Sequence, residues 1–222
     1  IGTLDNGAFV YHDWDELVLS EVPEALKGQQ MLTTVRGRGT ESQLVKAFRT
    51  TKFPATEKAD QIMLTWSADP SSTMDIQWRT ASSIDSSKVS YRIKGTDVVH
   101  TQKAEKYEME DLRLANDRYV NRFTAQLENL EAGTTYEYKI STQNSWPATQ
   151  TFTTQSKNDS FSFIWYGDTH FSPVWGKLAN QAFQKHPEAA FHAIAGDLVS
   201  DGLQRDQWDE LFEYSKDVIS QR

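Results

Sequence analysis

Cysteine is absent from all 222 residues. That excludes disulfides and thiolate chemistry, and it confines any metal site to His, Asp, Glu, Asn or backbone oxygen. Positive charge is also short: 23 Lys and Arg stand against 31 Asp and Glu, for a formal net charge of −8. This balance argues against broad nucleic-acid binding, which needs a basic face to neutralise phosphates. A small anionic substrate stays open, because a bound cation inverts the local potential. No apolar run approaches the roughly 20 residues of a membrane helix, so no membrane partner is expected. The sequence starts at Ile1 rather than Met, and no signal peptide can be read in it. Processing after export is the expectation, which would place the protein in an extracellular or periplasmic setting.

What is present is a globular rather than a disordered composition, with 38% hydrophobic, 12% aromatic and 24% charged residues. Three zones follow one another. Residues 1–50 carry mixed signals: Ala8-Phe9-Val10-Tyr11 and Leu17-Val18-Leu19 read as strands, Pro23 and Gly28 punctuate, and Arg36-Gly37-Arg38-Gly39 reads as a loop. The acids Asp13, Asp15 and Glu16 read as a solvated face rather than a cation site. No role is assigned to this zone.

Residues 51–156 read as all-β. Gln61 to Trp66 alternates, placing Ile62, Leu64 and Trp66 on one face, and Met74 to Arg79 alternates again with Met74, Ile76 and Trp78 inward. Val89 to Ile93 repeats the pattern. After a polar stretch come Tyr119 to Leu127, Thr135 to Ile140 and Thr149 to Thr153. Short strands separated by turn signals such as Asp69-Pro70-Ser71-Ser72 indicate a β-sandwich. Trp66 and Trp78 share the inward phase and are expected in the core, whereas Trp146, before Pro147, is placed at a domain junction. The segment from Leu127 to Tyr138 resembles the late-strand signature of fibronectin type III domains, with Leu130, Gly133 and Tyr136 at the matching positions. The resemblance implies that the tyrosine bonds upstream backbone to form a corner.

Residues 157–222 change character after the polar linker Ser156 to Ser160, which contains the formal glycosylation triplet Asn158-Asp159-Ser160. Phe161 to Tyr166 reads as a strand ending at Gly167. Pro173 to Lys185 has Trp175, Leu178, Ala179, Ala182 and Phe183 at helical spacing, and Pro187 closes it. Ala189 to Ala195 is a second apolar strand. Leu203 to Ser220 aligns Trp208, Leu211, Phe212, Ser215, Val218 and Ile219 on one helical face. This β-α-β-α order predicts a parallel pair with a right-handed crossover.

Two motifs carry the chemistry: Gly167-Asp168-Thr169-His170, and Gly196-Asp197-Leu198-Val199-Ser200-Asp201-Gly202. Each follows one of the strands just named. Ligands collect beyond the carboxyl ends of strands in open α/β sheets, and neighbouring strands lie about 5 Å apart, so Asp168 and Asp197 should converge. Two such carboxylates repel unless cations bind between them. Metals about 3.5–4 Å apart need a bridging carboxylate, and His170 can return its imidazole to the same ion. Asp201 is expected to fix the turn before the helix, His192 to pack inside its strand, and His186 to interact with a helix dipole. His12 and His100 receive no role.

The arrangement Asp-x-His followed by Gly-Asp resembles the calcineurin-like metallophosphoesterases. Behind a fibronectin-like sandwich, it resembles the purple acid phosphatase branch or bacterial relatives with the same N-terminal module. The fold class implied is a fibronectin type III-like β-sandwich followed by the first β-α-β-α part of an α/β metallophosphoesterase sandwich. By position, the resemblance implies that Asp168 and His170 ligate a first metal and that Asp197 bridges two. The cofactors implied are two divalent or mixed-valence ions, Mn, Fe or Zn, and the substrate is a small phosphate mono- or diester.

This sequence departs from the purple branch in two places. His170 stands where that branch has Gly, and Ser200 stands where it has a metal-binding Tyr, so no purple tyrosinate chromophore is expected. The family's later Gly-Asn-His motif and further histidine motifs do not occur, and no histidine follows Asp197 in the sequence. The expectation is therefore half a dinuclear site within the front part of a longer protein, inactive alone and partnered by the C-terminal half of its own domain. The alternative is a non-catalytic binding fragment in which the sandwich is the functional module.

Overall fold

A computed structural model describes residues 2–5, 8–12, 16–19, 32–35, 43–47, 50–111, 114–146, 150–157 and 160–221. Pro23, Gly28, the Arg36 to Gly39 loop, Asp13 and Asp15, Pro147, and Asn158-Asp159 of the glycosylation triplet lie outside the described residues. The chain separates into two compact units, Ile1–Thr51 with Glu110–Arg118, and Lys52–Met109 with Tyr119–Arg222.

The first unit holds β1 (Gly2–Asp5), β2 (Ala8–His12) and β3 (Glu16–Leu19), an antiparallel sheet in chain order, and an antiparallel pair of β4 (Leu32–Val35) and β5 (Gln43–Ala47). The strand readings at Ala8 and Leu17 correspond to β2 and β3. Within this unit Asn116 clamps Thr51 on both sides: its Oδ1 accepts from the Thr51 N–H at 3.0 Å and its Nδ2 donates to the Thr51 carbonyl at 3.1 Å.

In the second unit, two four-stranded sheets form the sandwich. Its strands are β6 (Asp60–Thr65), β7 (Met74–Ala81), β8 (Lys88–Ile93), β9 (His100–Lys103), β10 (Glu105–Glu110), β11 (Tyr119–Leu127), β12 (Thr135–Ile140) and β13 (Thr151–Thr153). The orders are β10-β11-β7-β6 and β13-β12-β8-β9. Alternation explains the burial. Met74, Ile76, Trp78, Phe123, Ala125 and Leu127 from one sheet meet Val89, Tyr136, Tyr138, Ile140 and Phe152 from the other in one core. Each fully buried large side chain contributes on the order of 1.5–3 kcal/mol. Trp78 stacks on Phe123 with ring centroids 5.7 Å apart.

The tyrosine corner forms as the fibronectin resemblance implies. The Glu131 N–H donates to the Tyr136 hydroxyl at 2.8 Å. Gly133 takes φ +62, where a Cβ would also press on the Ser156 hydroxyl. Strands β9 and β10 replace the polar stretch expected from sequence. They are the edge strands of their sheets, and their side chains are almost all exposed, so no inward–outward alternation marks them. His100, given no role from sequence, stacks on Tyr91 at 5.4 Å.

One tryptophan expectation is corrected. Trp66 does not join the core: β6 ends at Thr65, one residue before it, so the alternation that buries Leu64 does not extend to position 66. Trp66 is 36% exposed and sits edge-on to Phe191 at 5.5 Å. Trp146 has basic neighbours. It lies within cation–π reach of two basic side chains of the β8–β12 sheet, Arg92 at 4.4 Å and Lys139 at 5.2 Å.

The segment after the sandwich is β14 (Ser162–Tyr166), α1 (Pro173–Lys185), β15 (Ala189–Ile194) and α2 (Arg205–Ile219). The two strands pair in parallel, with Trp165 opposite Ala193 and Tyr166 opposite Ile194. Ser172 caps α1, its hydroxyl accepting from the Trp175 N–H, and Pro173 occupies the first helical position. Trp175, Ala179, Leu211 and Val218 form a second core with Tyr166, Phe183, Ile194 and Tyr214 around it. Gly176 permits the close approach of the helices, since a Cβ there would meet Tyr214. Leu178 departs from the expected face and is exposed.

A buried charge cluster joins α2 to the sandwich. Arg79 on β7 grips Asp60 with two hydrogen bonds of 2.8 and 2.7 Å, and its Nη1 lies 2.6 Å from Asp209 of α2. The Arg79 and Asp209 side chains are only 3% and 2% exposed. Gln61, held at φ +48 where the register of β6 shifts, donates to Asp209 and accepts from Arg122, both at 2.6 Å. Burial works against the Arg79 charge, yet the Asp60 and Asp209 carboxylates outweigh it and raise its pKa. Arg122 is lowered instead, first by burial and then by the neighbouring Arg79 charge. At the far end of α2, the buried Tyr138 hydroxyl donates to the Ser220 carbonyl at 2.7 Å.

Candidate metal centre

The Asp168 loop leaves the carboxyl end of β14, and the Asp197 loop leaves the carboxyl end of β15. Backbone hydrogen bonds lace the two loops together. The N–H groups of Thr169 and His170 both donate to the Asp197 carbonyl, at 2.9 and 3.0 Å, and the Phe171 N–H donates to the Leu198 carbonyl at 3.0 Å. The buried Thr169 hydroxyl adds a bond of 3.0 Å to that same Leu198 carbonyl. Sequence reasoning did not single out Thr169, and a short polar residue between two functional ones gives no signal by itself.

Lacing places strain where the side chains must converge. His170 and Phe171 take φ +46 and +47, the left-handed region that non-glycine residues enter at a cost of about 1–3 kcal/mol each. Gly196 takes φ +130, and a Cβ on it would overlap Asp168 Oδ1. Glycine is therefore required there both for its dihedral and to let the carboxylate lie against the opposite loop. The Asp197 N–H points at that carboxylate, 3.3 Å from Oδ1.

These loops bring together the three residues singled out from sequence. Asp168, His170 and Asp197 each offer a ligand atom, and all of these atoms lie within 4.8 Å of one another. All three residues are exposed. His170 Nε2 is 3.9 Å from Asp168 Oδ2, and its Nδ1 is 3.2 Å from Ser200 Oγ. Two carboxylates and an imidazole without sulfur form a donor set suited to Mn, Fe or Zn. Two anions this close also favour a cation between them.

Neighbouring residues serve the frame. Asp201 fixes the turn as expected, its carboxylate accepting from the Leu203 N–H at 2.9 Å while its own N–H donates to Gln207 Oε1 at 2.9 Å. His192 is half-buried inside β15, with Nδ1 2.8 Å from the Tyr166 hydroxyl. Burial pushes the pKa of that tyrosine up to about 12, so it stays a neutral partner at ordinary pH. His186 forms the C-cap of α1, where its N–H donates to the Ala182 carbonyl, and its ring meets Glu188 at 3.2 Å.

Comparison with known proteins identifies the sandwich. Residues 59–154 match the family model of the purple acid phosphatase N-terminal domain. This span runs from the start of β6 to the end of β13, so the sandwich is similar to that domain. No match to a curated protein is found.

Proposed function

We propose that the protein hydrolyses phosphate esters at a dinuclear metal centre, and that Asp168, His170 and Asp197 are this chain's share of it. The observation that carries the reading is the meeting of these three side chains, with ligand atoms within 4.8 Å, directly after a purple acid phosphatase N-terminal domain. Asp168 and His170 would hold one ion, and Asp197 would bridge to a second. Held by these residues, metal ions would supply Lewis-acid polarisation of a phosphoryl oxygen and a more acidic bound water.

The residues themselves do the positioning. The strained Asp168 loop is pinned to the Asp197 loop through backbone, which fixes the separation of the two loops that carry the ligands. Exposure of all three leaves the face open to a small phosphate mono- or diester. Ser200 supplies no phenolate, so the coordination follows the wider calcineurin-like pattern rather than the purple one.

The test is metal content per chain, followed by hydrolysis of p-nitrophenyl phosphate and bis(p-nitrophenyl) phosphate by the full-length, metal-loaded protein. Stoichiometric Mn, Fe or Zn is expected without the visible band of an iron–tyrosinate. Asp197→Asn should remove the metal and lower turnover at least 1,000-fold, an order-of-magnitude expectation for the loss of a bridging ligand (~4 kcal/mol). Unchanged metal content and turnover in Asp197→Asn would overturn the reading.

A further inference from the structure

We infer that Ser200 is a positioning residue for His170, holding the imidazole so that Nε2 faces Asp168 and Asp197. The inference rests on the metal reading above and adds a residue to it.

The backbone of His170 is fixed by its left-handed dihedral and by its bond to the Asp197 carbonyl. What remains free is the rotation of the ring, and a half-turn would exchange its two sides. Nε2 lies 3.9 Å from the nearest Asp168 oxygen, beyond hydrogen-bond range, so the carboxylate does not fix the ring directly. Ser200 Oγ, 3.2 Å from Nδ1, makes the one hydrogen bond to this ring among the described residues.

A metal-binding imidazole needs a bare lone pair on the ligating nitrogen and a hydrogen-bonded N–H on the other. Serine meets that need, because its oxygen can accept from Nδ1–H. Ser200 is well placed for the task. It stands three residues after Asp197 on the same loop, and the following residue is anchored by Gln207 and in turn anchors Leu203. One loop thus carries a carboxylate ligand and also orients the imidazole on the other loop. The tyrosine expected here in the purple branch would itself be a ligand; the shorter serine reaches the imidazole instead.

The experiment measures zinc affinity of the full-length protein by competition with a chromophoric chelator, for wild type, Ser200→Ala, Ser200→Thr and Asp197→Asn. Nitrogen-15 NMR of the zinc-loaded protein then reports which ring nitrogen of His170 is coordinated. Ser200→Ala should weaken zinc binding by about 10–100-fold, the usual cost of losing such a partner. Ser200→Thr, which keeps the hydroxyl, should restore most of it. The wild-type spectrum should show Nε2 bound and Nδ1 protonated. Equal affinity in wild type and Ser200→Ala, or coordination through Nδ1, would overturn the role of Ser200 and leave the metal reading standing. A wild-type full-length protein that binds no zinc would overturn both.

Discussion

The sandwich and the β-α-β-α segment bury their aromatic residues in opposite ways. In the sandwich, both sheets turn their aromatic faces inward, and Trp78, Phe123, Tyr138 and Phe152 are almost fully enclosed. In the segment, only one face of the two-stranded sheet is covered. Tyr166 and Ile194 pack with the helices, while Phe161, Phe163 and Trp165 remain exposed, with Phe163 stacked on Phe191 at 4.9 Å. One region closes its own core. The other leans on its neighbours: buried charge, the Tyr138 hydrogen bond to Ser220 and the Trp66–Phe191 contact join it to the sandwich. The candidate metal loops lie on the less enclosed region, so they need a rigid backbone of their own, supplied by the lacing between the Asp168 and Asp197 turns.

The largest expected effect is in the self-contained core. Trp78→Ala removes a fully buried ring stacked on Phe123, and should cost about 3–5 kcal/mol in urea unfolding. A loss under about 1 kcal/mol would mean that the sandwich core is not the main source of stability, and the contrast would fail.

Next comes the joint between the regions. Arg79→Leu leaves the buried Asp209 without its strongest partner, and removing one member of a buried pair costs about 3 kcal/mol or more. The comparison makes a sharper claim than a number. Hydrogen exchange should quicken in α2 while β7 and β11 stay protected, because the sandwich core does not depend on this ion pair. Adding Asp209→Leu should recover much of the loss, since no buried carboxylate is then left unpaired. Uniform exchange across both regions would show that they unfold as one body.

How much of this was legible in sequence depends on whether a residue's environment was local. The strands β7, β11 and β12 were readable because alternation is set within six to nine residues. Helix α1 is readable because Pro173 and Pro187 bracket an apolar period. The convergence of Asp168, His170 and Asp197 followed from parallel topology, which the β-α-β order dictates. Residues whose roles depend on distant partners were hidden. Trp66 matches the inward phase, but β6 ends at Thr65, so no strand carries that phase on to it. Arg79 and Asp209 lie 130 positions apart and look like ordinary surface charges until β7 and α2 meet. Ser200 was noticed as a departure from a tyrosine, yet its approach to His170 required the two loops to be seen together.

The smallest expected effect lies on the uncovered sheet face. Trp165 is 66% exposed and meets Phe163 only edge-on at 6.3 Å. Replacing an exposed apolar side chain away from any cap, pair or strained turn usually changes stability by no more than about 0.5 kcal/mol. Trp165→Ser should therefore leave the urea midpoint nearly unchanged while lowering the binding of a hydrophobic dye, because a contiguous apolar surface is reduced. A cost above about 1 kcal/mol would show that this face is covered in solution. The two regions would then differ in what covers them rather than in whether they are covered, since an aromatic side chain contributes to stability only where something excludes water from it.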